Sequence, residues 1–445
     1  MNKKHILLFL FLSLSVRTMI DAQVLDKSMN LPAAVDRFHF SNYDKDAQIW
    51  SAMYIGSNNK IYVGLCTHGD AATVYEFDIA TSTMRQLGNL TKILNERGKG
   101  IWTNGKIHVK MQELDGYIYF GSFCEDNGPP AIDASSYQGP YWFKINMDTG
   151  EITTLSKINS FWGLIGQEMD KVRRIIYGLT EEGHLVRYLI DDDLTEDLGR
   201  VDGWDICRTL LIDESGNVYG SYAPGRIWKF DVEKERIFDF DHVRVPVSLE
   251  SRTMANPMLD RRAQWRYIEW DKKEKVAYGI TGGSNTLFKY DVNAGSEGEM
   301  TSLGRICAPM YRLANPFAVP SATLAMTLNQ VERKIYYLPV VEGDFDYGAV
   351  QTNLTTGEEK PPLSYLIAYD LENGDLQDIG LLTTSDDGSD VYGMGAADTD
   401  AAGRVWFVGA FEEKNQNYEV RKMRGKFPYS LGLGCFDPKK HNTSK

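Results

Sequence analysis

A short strand pattern recurs seven times along the chain: a turn, then a run of apolar positions with an aromatic residue near its centre. The copies are Asn59–Cys66, Asp115–Gly121, Arg173–Leu179, Gly216–Ser221, Lys275–Thr281, Arg333–Leu338 and Gly403–Gly409. Their central aromatic residues are Tyr62, Tyr119, Tyr177, Tyr219, Tyr278, Tyr336 and Trp406, which lie 42 to 70 residues apart. A pattern that returns at such intervals indicates one supersecondary unit used repeatedly.

Further apolar runs flank most copies. Those ahead of the copies are Trp50–Ile55, Ile107–Leu114, Trp162–Ile165, Thr209–Ile212, Trp265–Trp270, Ala322–Leu328 and Val391–Ala397. Runs such as Val74–Ile79 (VYEFDI) and Ile227–Val232 (IWKFDV) follow the copies and end in an aromatic-Asp turn. The runs are short and rich in β-branched and aromatic residues, and helical periodicity is weak, so each unit is expected to hold three or four strands.

These features predict an all-β fold, a seven-bladed β-propeller around a central channel. Residues 23–445 are expected to form this single domain. The last blade lacks a strand in the pattern, and Arg37–Ser41 (RFHFS) is expected to supply it and close the ring.

Residues 1–22 are typical of an export signal, with Lys3 and Lys4 ahead of the apolar run Ile6–Val16 and a small residue, Ala22, at the cleavage position. The run is too short to span a bilayer and no later stretch is long enough, so we expect a secreted or periplasmic monomer without a membrane span. Removing the three basic residues and one acid of this segment changes the formal net charge from −13 to −15. Such a charge argues against nucleic acid as a partner.

The five cysteines are Cys66, Cys124, Cys207, Cys307 and Cys435. They do not pair evenly and lack the spacing of a metal finger, so most are interpreted as small buried residues.

In a propeller, the starts of the inner strands and the loops between second and third strands lie at one mouth of the channel. His108 precedes Tyr119 by 11 residues, and Arg208 precedes Tyr219 by the same interval. The two side chains therefore occupy equivalent positions in two repeats and are expected to face a common space. Histidine suits proton transfer near neutral pH, and arginine suits bidentate capture of a carboxylate.

The same reasoning places five further candidates at this mouth as substrate-binding residues: Tyr141, His184, His68, Trp162 and Arg266. Each also has an ordinary structural interpretation, as a packed aromatic ring, a hydrogen-bonded histidine or an ion pair. Motifs of serine hydrolases, zinc proteases and phosphate-binding loops are absent from the sequence. Histidine, arginine and tyrosine without paired carboxylates favour β-elimination from a uronate over hydrolysis.

The segments Lys106-Ile107-His108, Tyr137–Phe143 and Cys207–Asp213, with the strands that follow, resemble the propeller-fold polysaccharide lyases. The similar groups are the ulvan lyases and the rhamnosyl-glucuronate lyases that act on gum arabic and arabinogalactan. The resemblance covers most of residues 45–410. It implies a lyase that cleaves a rhamnosyl-α-1,4-glucuronate linkage, with a histidine as base and acid and an arginine neutralising the carboxylate.

The resemblance also implies an assisting tyrosine, for which Tyr188 is the nearest match. Those lyases commonly carry a second histidine after a Gly-Gly pair, where this chain reads Gly139-Pro140-Tyr141. Either Tyr141 takes over that role or the chemistry differs. No convincing metal ligand set can be assembled, so a structural divalent cation (calcium or zinc) stays open. The alternatives are a non-catalytic glycan-binding propeller and a metal-dependent propeller hydrolase or lactonase.

Overall fold

The structure is a computed structural model that describes residues 32–43, 47–67, 72–124, 134–201, 207–246, 264–282, 284–306, 323–340, 351–352, 359–360, 363–414, 421–423 and 427–443. The expected export signal, residues 1–22, lies outside these ranges, as do His68 and Cys307.

The regular secondary structure of the described residues is almost entirely β-strand. It begins with β1 (Ala33–His39) and continues into five separate antiparallel sheets of four strands each. The first sheet contains β2 (Ala47–Ile55), β3 (Lys60–Thr67), β4 (Thr73–Asp78) and β5 (Thr83–Asn89). The second contains β6 (Gln112–Leu114), β7 (Tyr117–Gly121), β8 (Tyr141–Asn146) and β9 (Ile152–Lys157). The third contains β10 (Leu164–Asp170), β11 (Ile175–Thr180), β12 (His184–Leu189) and β13 (Leu194–Arg200). The fourth contains β14 (Leu211–Ile212), β15 (Val218–Tyr222), β16 (Arg226–Asp231) and β17 (Arg236–Asp239). The fifth contains β18 (Trp265–Asp271), β19 (Val276–Thr281), β20 (Thr286–Asp291) and β21 (Glu299–Arg305).

The remaining strands form a nine-stranded sheet and a small hairpin. The strands are β22 (Met326–Asn329), β23 (Lys334–Tyr337), β24 (Gln351–Thr352), β25 (Glu359–Lys360), β26 (Tyr365–Asp370), β27 (Leu376–Thr384), β28 (Val391–Thr399), β29 (Val405–Glu412), β30 (Arg421–Met423) and β31 (Phe427–Phe436). The nine-stranded sheet has the order β22-β23-β26-β27-β1-β31-β29-β28, with β30 paired to β31, and β24 pairs with β25. The short helices are α1 (Leu90–Ile93), α2 (Pro438–Thr443) and a 3-10 turn at Ala134–Ser136.

The predicted count of seven blades needs correction, because five four-stranded sheets stand separately and one continuous sheet of nine strands takes the place of further blades. The cause is β1, which pairs in parallel with β27 (Ala33 opposite Leu382) and antiparallel with β31 (Asp36 opposite Cys435). The N-terminal strand thus hydrogen-bonds to the last repeat, as predicted, and also bridges it to the preceding one.

The recurring aromatic residues are buried in the second strand of every repeat, none more than 5% exposed. Several use a polar atom to bind an acid at the end of the neighbouring inner strand or in the turn that follows it. Tyr219 Oη donates to Asp213 (2.9 Å), Tyr278 Oη to Glu274 (3.1 Å) and Trp406 Nε1 to Asp400 (2.8 Å). At these three positions, a ring with a polar tip fills the core and holds the hairpin turn at once.

The inner strands β2, β6, β10, β14, β18, β22 and β28 contact one another around a channel. Ile55 N donates to Asp398 Oδ2 (3.2 Å), joining β2 to β28, and Leu328 N donates to Glu269 Oε2 (3.2 Å), joining β22 to β18. We call the end where these strands begin, marked by Trp50 and Trp162, the start mouth. The end where they finish, marked by Tyr54 and Asp271, is the end mouth.

The core lies in five clusters of buried side chains within and between the sheets. Cys66, Cys124, Cys207 and Cys435 are buried, as predicted for most of the cysteines. In the described part of the chain, no helix is long and apolar enough to cross a membrane.

Candidate functional site at the start mouth

His108 lies ahead of β6 at the start mouth, between two aromatic rings. Its imidazole stacks on Trp50 (ring centroids 4.7 Å apart, 21° between planes) and lies 4.6 Å from the ring of Phe123. The position of Trp50 follows from a bulge in β2, where pairing with β3 shifts between Ile49 and Met53. Ser51, in the same bulge, donates its hydroxyl to the carbonyl oxygen of His108.

The sandwich leaves His108 only 7% exposed, and both of its ring nitrogens are shielded from solvent. The neighbouring Lys106 faces the ring of Phe123, with Nζ 5.6 Å from the centroid. A base must come within about 2.6–3.2 Å of the proton that it removes. In this arrangement the imidazole is held at the mouth but is covered by aromatic side chains.

An aromatic cluster lies beside this sandwich. Trp162 contacts Trp102 (5.7 Å between centroids) and the edge of Phe161 (5.0 Å), and Phe161 also meets Tyr137 (5.9 Å). Phe161 is 42% exposed, and both tryptophans are partly exposed. A group of accessible rings at the opening of a channel can stack on the apolar face of a sugar.

Glu182 fixes the loop that carries the aromatic cluster. Its carboxylate accepts hydrogen bonds from the backbone nitrogens of Phe161 (2.8 Å) and Trp162 (2.9 Å) and from Ser160 Oγ (2.8 Å). Burial raises the pKa of this carboxyl, but these donors outweigh it and leave the pKa below its usual value. Glu182 therefore stays charged and holds the loop.

Asn104 organises the other side of the cluster from a fully buried position. Its side chain donates to Glu96 (2.9 Å) and accepts from Ser122 Oγ (2.6 Å) and Tyr137 Oη (2.9 Å). The hydroxyl of Ser122 in turn accepts from the backbone nitrogen of Tyr141 (3.0 Å). This network places Tyr141, as predicted, at the same mouth, although its half-buried ring packs partly on the core.

Arg208 lies ahead of β14 and is ion-paired with Glu181 (Nη1 to Oε2, 3.0 Å). Its Nε and Nη2 donate no hydrogen bond to any other described residue. The guanidinium side chain is 26% exposed, so these two donors remain for a ligand carboxylate.

A continuous series of contacts joins His108 to Arg208 along the start mouth. Phe123, against the imidazole, forms a β-bridge with Gly163, whose carbonyl oxygen accepts from Glu181 N (3.1 Å). Glu181 then binds Arg208. The structure therefore puts His108, Trp162 and Arg208 on the same mouth, with the start of β10 between the histidine and the arginine.

The assignment of Tyr188 to the site needs correction. This residue lies in the third strand of its sheet, is 1% exposed, and stacks on Trp142 (5.3 Å between centroids). Its hydroxyl donates to Asp193 (3.0 Å), and burial raises its pKa far above the usual value. Tyr188 is a core residue between two sheets and does not reach the mouth.

Two other candidates lie at the start mouth without joining the cluster. His184, the first residue of β12, is turned towards the outermost strand, where Nδ1 lies 2.9 Å from Asp197 Oδ2. Arg266 is the extra residue of a bulge in β18, where the pairing with β19 shifts between Trp265 and Tyr267. His68 lies outside the described residues, so its predicted role is not addressed.

The described residues contain no group of three or more histidine, cysteine, aspartate or glutamate side chains that could hold a metal ion.

Trp102, Phe161, Asn104 and Glu182 are functional candidates that the sequence did not reveal. The exposed pair Phe161-Trp162 ahead of β10 was a usable signal, because two adjacent aromatic residues cannot both face the core of one strand. Asn104 and Glu182 gave none, since their roles depend on partners in other loops.

Sequence comparisons return no relative. No protein-family model matches this chain, and no curated protein matches it significantly.

Solved structures are similar in fold. The WD40 repeats of RRP9 superpose with a TM-score of 0.53 at 8% identity, over 92% of this chain and 99% of that one. A chain of the mitotic checkpoint complex gives 0.49 at 8% identity, over 90% of this chain and 91% of that one. The extracellular domain of a protein described as a hybrid two-component system from B. thetaiotaomicron gives 0.48 at 11% identity, over 90% of this chain but only 39% of that one. The chain folds as a β-propeller. At such low identity, the likeness to the WD40 repeats extends to the fold alone.

Proposed function

We propose that the start mouth binds an acidic, glucuronate-containing glycan and that the protein cleaves it by β-elimination. The observation that carries the proposal is the pairing of an accessible aromatic cluster with a partly exposed guanidinium on one mouth. Sugar rings stack on aromatic faces, and arginine captures carboxylates through parallel hydrogen bonds. Trp162 and Arg208 supply these two features.

The elimination would proceed at the uronate ring. A base removes the proton on the carbon that bears the carboxylate, a carbon–carbon double bond forms, and the bond to the leaving glycosidic oxygen breaks as that oxygen takes a proton. Arg208 would neutralise the carboxylate so that negative charge can build up beside it. His108 would be the base, and Tyr141, whose backbone nitrogen donates to Ser122 Oγ, would be the candidate for the acid.

A second candidate function is supported by the packing of His108. Its ring nitrogens are shielded between Trp50 and Phe123, which suits a non-catalytic glycan-binding propeller in which the histidine only supports the mouth. Catalytic hydrogen bonds are often formed only in the complex with substrate, so this packing does not remove the lyase proposal. No observation favours the metal-dependent hydrolase or lactonase.

The two functions differ in their product. Gum arabic, ulvan and pectic oligomers would be incubated with the protein, and the unsaturated uronate followed by its ultraviolet absorbance. A lyase produces this absorbance and loses it in His108→Ala, whereas a binding module retains ligand affinity and produces none. Absence of both absorbance and affinity on every glycan would refute the proposal in both forms.

We also infer that the ring contains seven units, with the nine-stranded sheet made of two blades joined by β1. Strands β22, β23, β26 and β27 follow one another antiparallel, as in the five separate sheets. Strands β28, β29, β31 and β1 form a second such set. Export and a monomeric state remain predictions.

A further inference from the structure

The end mouth, opposite the glycan site, opens into a cavity of about 500 Å³. Its walls include Tyr54, Tyr267 and Trp270, and its polar lining includes Lys110, Glu168 and Glu269. A second depression of about 540 Å³ adjoins it, with Tyr54 and Lys171 common to both. This is the volume of a small-molecule site, with aromatic rings and several charged groups in its walls.

Lys110 is the ammonium group inside the channel. Its Nζ binds Tyr267 Oη (3.2 Å) and lies 5.7 Å from the centre of that ring. Among the described residues, no carboxylate oxygen comes within 4.0 Å of it. Glu168, Glu269 and Asp398 nevertheless act on it, because their charges overcome the effect of burial and raise its pKa.

Among the described residues, two of these carboxylates each have one oxygen that accepts no hydrogen bond. Glu269 uses Oε2 to accept from Leu328 N (3.2 Å), and Glu168 uses Oε1 to accept from Gln112 and from Met169 N (3.3 Å). Glu269 Oε1 and Glu168 Oε2 accept no hydrogen bond from the described part of the chain. Asp398, by contrast, has both oxygens occupied by backbone N–H groups.

A third acceptor lies in the same wall. Thr209 is 5% exposed and lines the cavity, and its buried Oγ1 has no hydrogen-bond partner among the described residues. Buried hydroxyls normally have a partner. This orphaned hydroxyl and the two free carboxylate oxygens are three acceptors around one cavity.

We propose that the end-mouth cavity binds a small organic molecule bearing a protonated amine. An ammonium group donates up to three hydrogen bonds, and Glu168, Glu269 and Thr209 offer the acceptors. Burial raises the pKa of Glu168, Glu269 and Asp398, and a second positive charge beside them favours their ionised forms. The carbon skeleton of the ligand would lie against the tyrosine and tryptophan rings, which also attract cations.

An organic cation fits better than a metal ion or an anion. The described residues offer no metal-holding group, and carboxylates outnumber the inward-facing ammonium group. Lys171, Arg173 and Lys272 also line the cavity, but all three are exposed residues, and Arg173 is paired with Asp170. The proposal is independent of the glycan function, because it uses the opposite mouth and none of the same residues.

The test compares three probes with the same carbon skeleton: protonated propylamine, neutral propanol and anionic propionate. Ligand-observed NMR titration gives the dissociation constant of each probe for the full-length protein. We expect propylamine to bind more tightly than the other two. Loss of one charge-assisted hydrogen bond in Glu269→Gln should weaken it by about 10- to 100-fold. Lys110→Gln, which removes the competing positive charge, should leave propylamine binding unchanged or tighter.

Glu372→Gln is the matched control, since Glu372 is an exposed residue paired with Lys273 outside the cavity. Its propylamine affinity should equal that of the wild type. Thermal unfolding checks that each variant folds, and Glu168→Gln replaces Glu269→Gln if the latter does not. Equal affinity for propylamine and propanol would overturn the proposal. So would propionate binding that is lost in Lys110→Gln, which would mark an anion site.

Discussion

Replacing Arg333 by methionine should destabilise the protein, because it strands a buried carboxylate between two sheets. Asp271, at the end of β18, is fully buried, and Arg333, ahead of β23, is only 7% exposed. The guanidinium holds the carboxylate with both nitrogens, Nη1 to Oδ1 at 2.8 Å and Nη2 to Oδ2 at 2.6 Å. Its Nη2 also reaches Glu274 Oε1 (2.7 Å).

Breaking a buried pair from one side typically costs about 3–5 kcal/mol, because the remaining charge loses its partner. For a chain of 445 residues, an unfolding entropy of ~2.1 cal/mol/K per residue amounts to roughly 0.9 kcal/mol/K, so Tm should fall by about 3–5 °C. Calorimetry and urea unfolding at neutral pH measure both quantities.

The control is Lys273→Met in the adjoining turn, whose partner Glu372 is 3.3 Å away with both side chains more than 60% exposed. An exposed pair contributes about 0–1 kcal/mol. A loss in Arg333→Met no larger than in this control would refute the reasoning.

The effect should also depend on pH with a defined sign. Burial raises the pKa of Asp271, but the hydrogen bonds from Arg333 and the backbone lower it further, so the net shift is downward from 3.8. A lowered carboxyl pKa contributes stability above the unfolded value that is lost as pH falls through the folded value. The difference between wild type and Arg333→Met should therefore shrink below about pH 3.8.

Three further predictions concern other parts of the molecule. Phe38→Ala should lower the free energy of unfolding by about 2 kcal/mol, less than for a fully buried ring, because Phe38 on β1 is only partly buried. Urea unfolding measures this change, and an unchanged midpoint would contradict a closing role for β1. Burial and neighbouring acids raise the pKa of Glu269 from 4.5 to about 7. The free energy of unfolding should therefore fall as pH rises from 4.5 to about 7. Glu269→Gln should flatten that part of a Tm–pH profile. Glu182→Ala should weaken glycan binding by about tenfold with little change in Tm, because it releases the loop that carries Trp162. Binding calorimetry measures the affinity. A variant with wild-type affinity would count against the aromatic cluster as a binding surface.

The repeats were predictable from the sequence because each is a local pattern. The strands around Tyr62, Tyr278 and Trp406 lie where alternation and turn residues place them. The joining of the last two repeats was not predictable. It depends on β1 pairing with strands some 350 to 400 residues away in the chain, and nothing local encodes a parallel contact with β27.

The location of a candidate residue was predictable where its position in the repeat determines its position in the ring. This held for Trp162 and Arg208, which lie at inner-strand starts as expected. The assignment of Tyr188 was wrong. That assignment came from a resemblance, whereas the third-strand position of the residue places it in the core. The covering of His108 by aromatic rings was also not predictable, because the bulge that puts Trp50 over the imidazole is a property of strand pairing.

The end-mouth cluster left a weak trace in the sequence. Lys110, Glu168, Glu269 and Asp398 are charged residues within largely apolar inner-strand segments. Within the sequence of any one strand, such a residue cannot be distinguished from an ordinary surface charge. Only the ring brings them to one channel, where their charges act on one another.

The role of Arg208 in binding a sugar carboxylate is tested by calorimetry with a rhamnosyl-glucuronate oligosaccharide and with its carboxyl-reduced counterpart, each added to wild type and to Arg208→Met. Wild type should bind the acidic sugar more tightly, by about 10- to 100-fold for a charge-assisted contact. Arg208→Met should remove this preference. Equal affinity of wild type for the two sugars, or an undiminished preference in Arg208→Met, would contradict this role of Arg208.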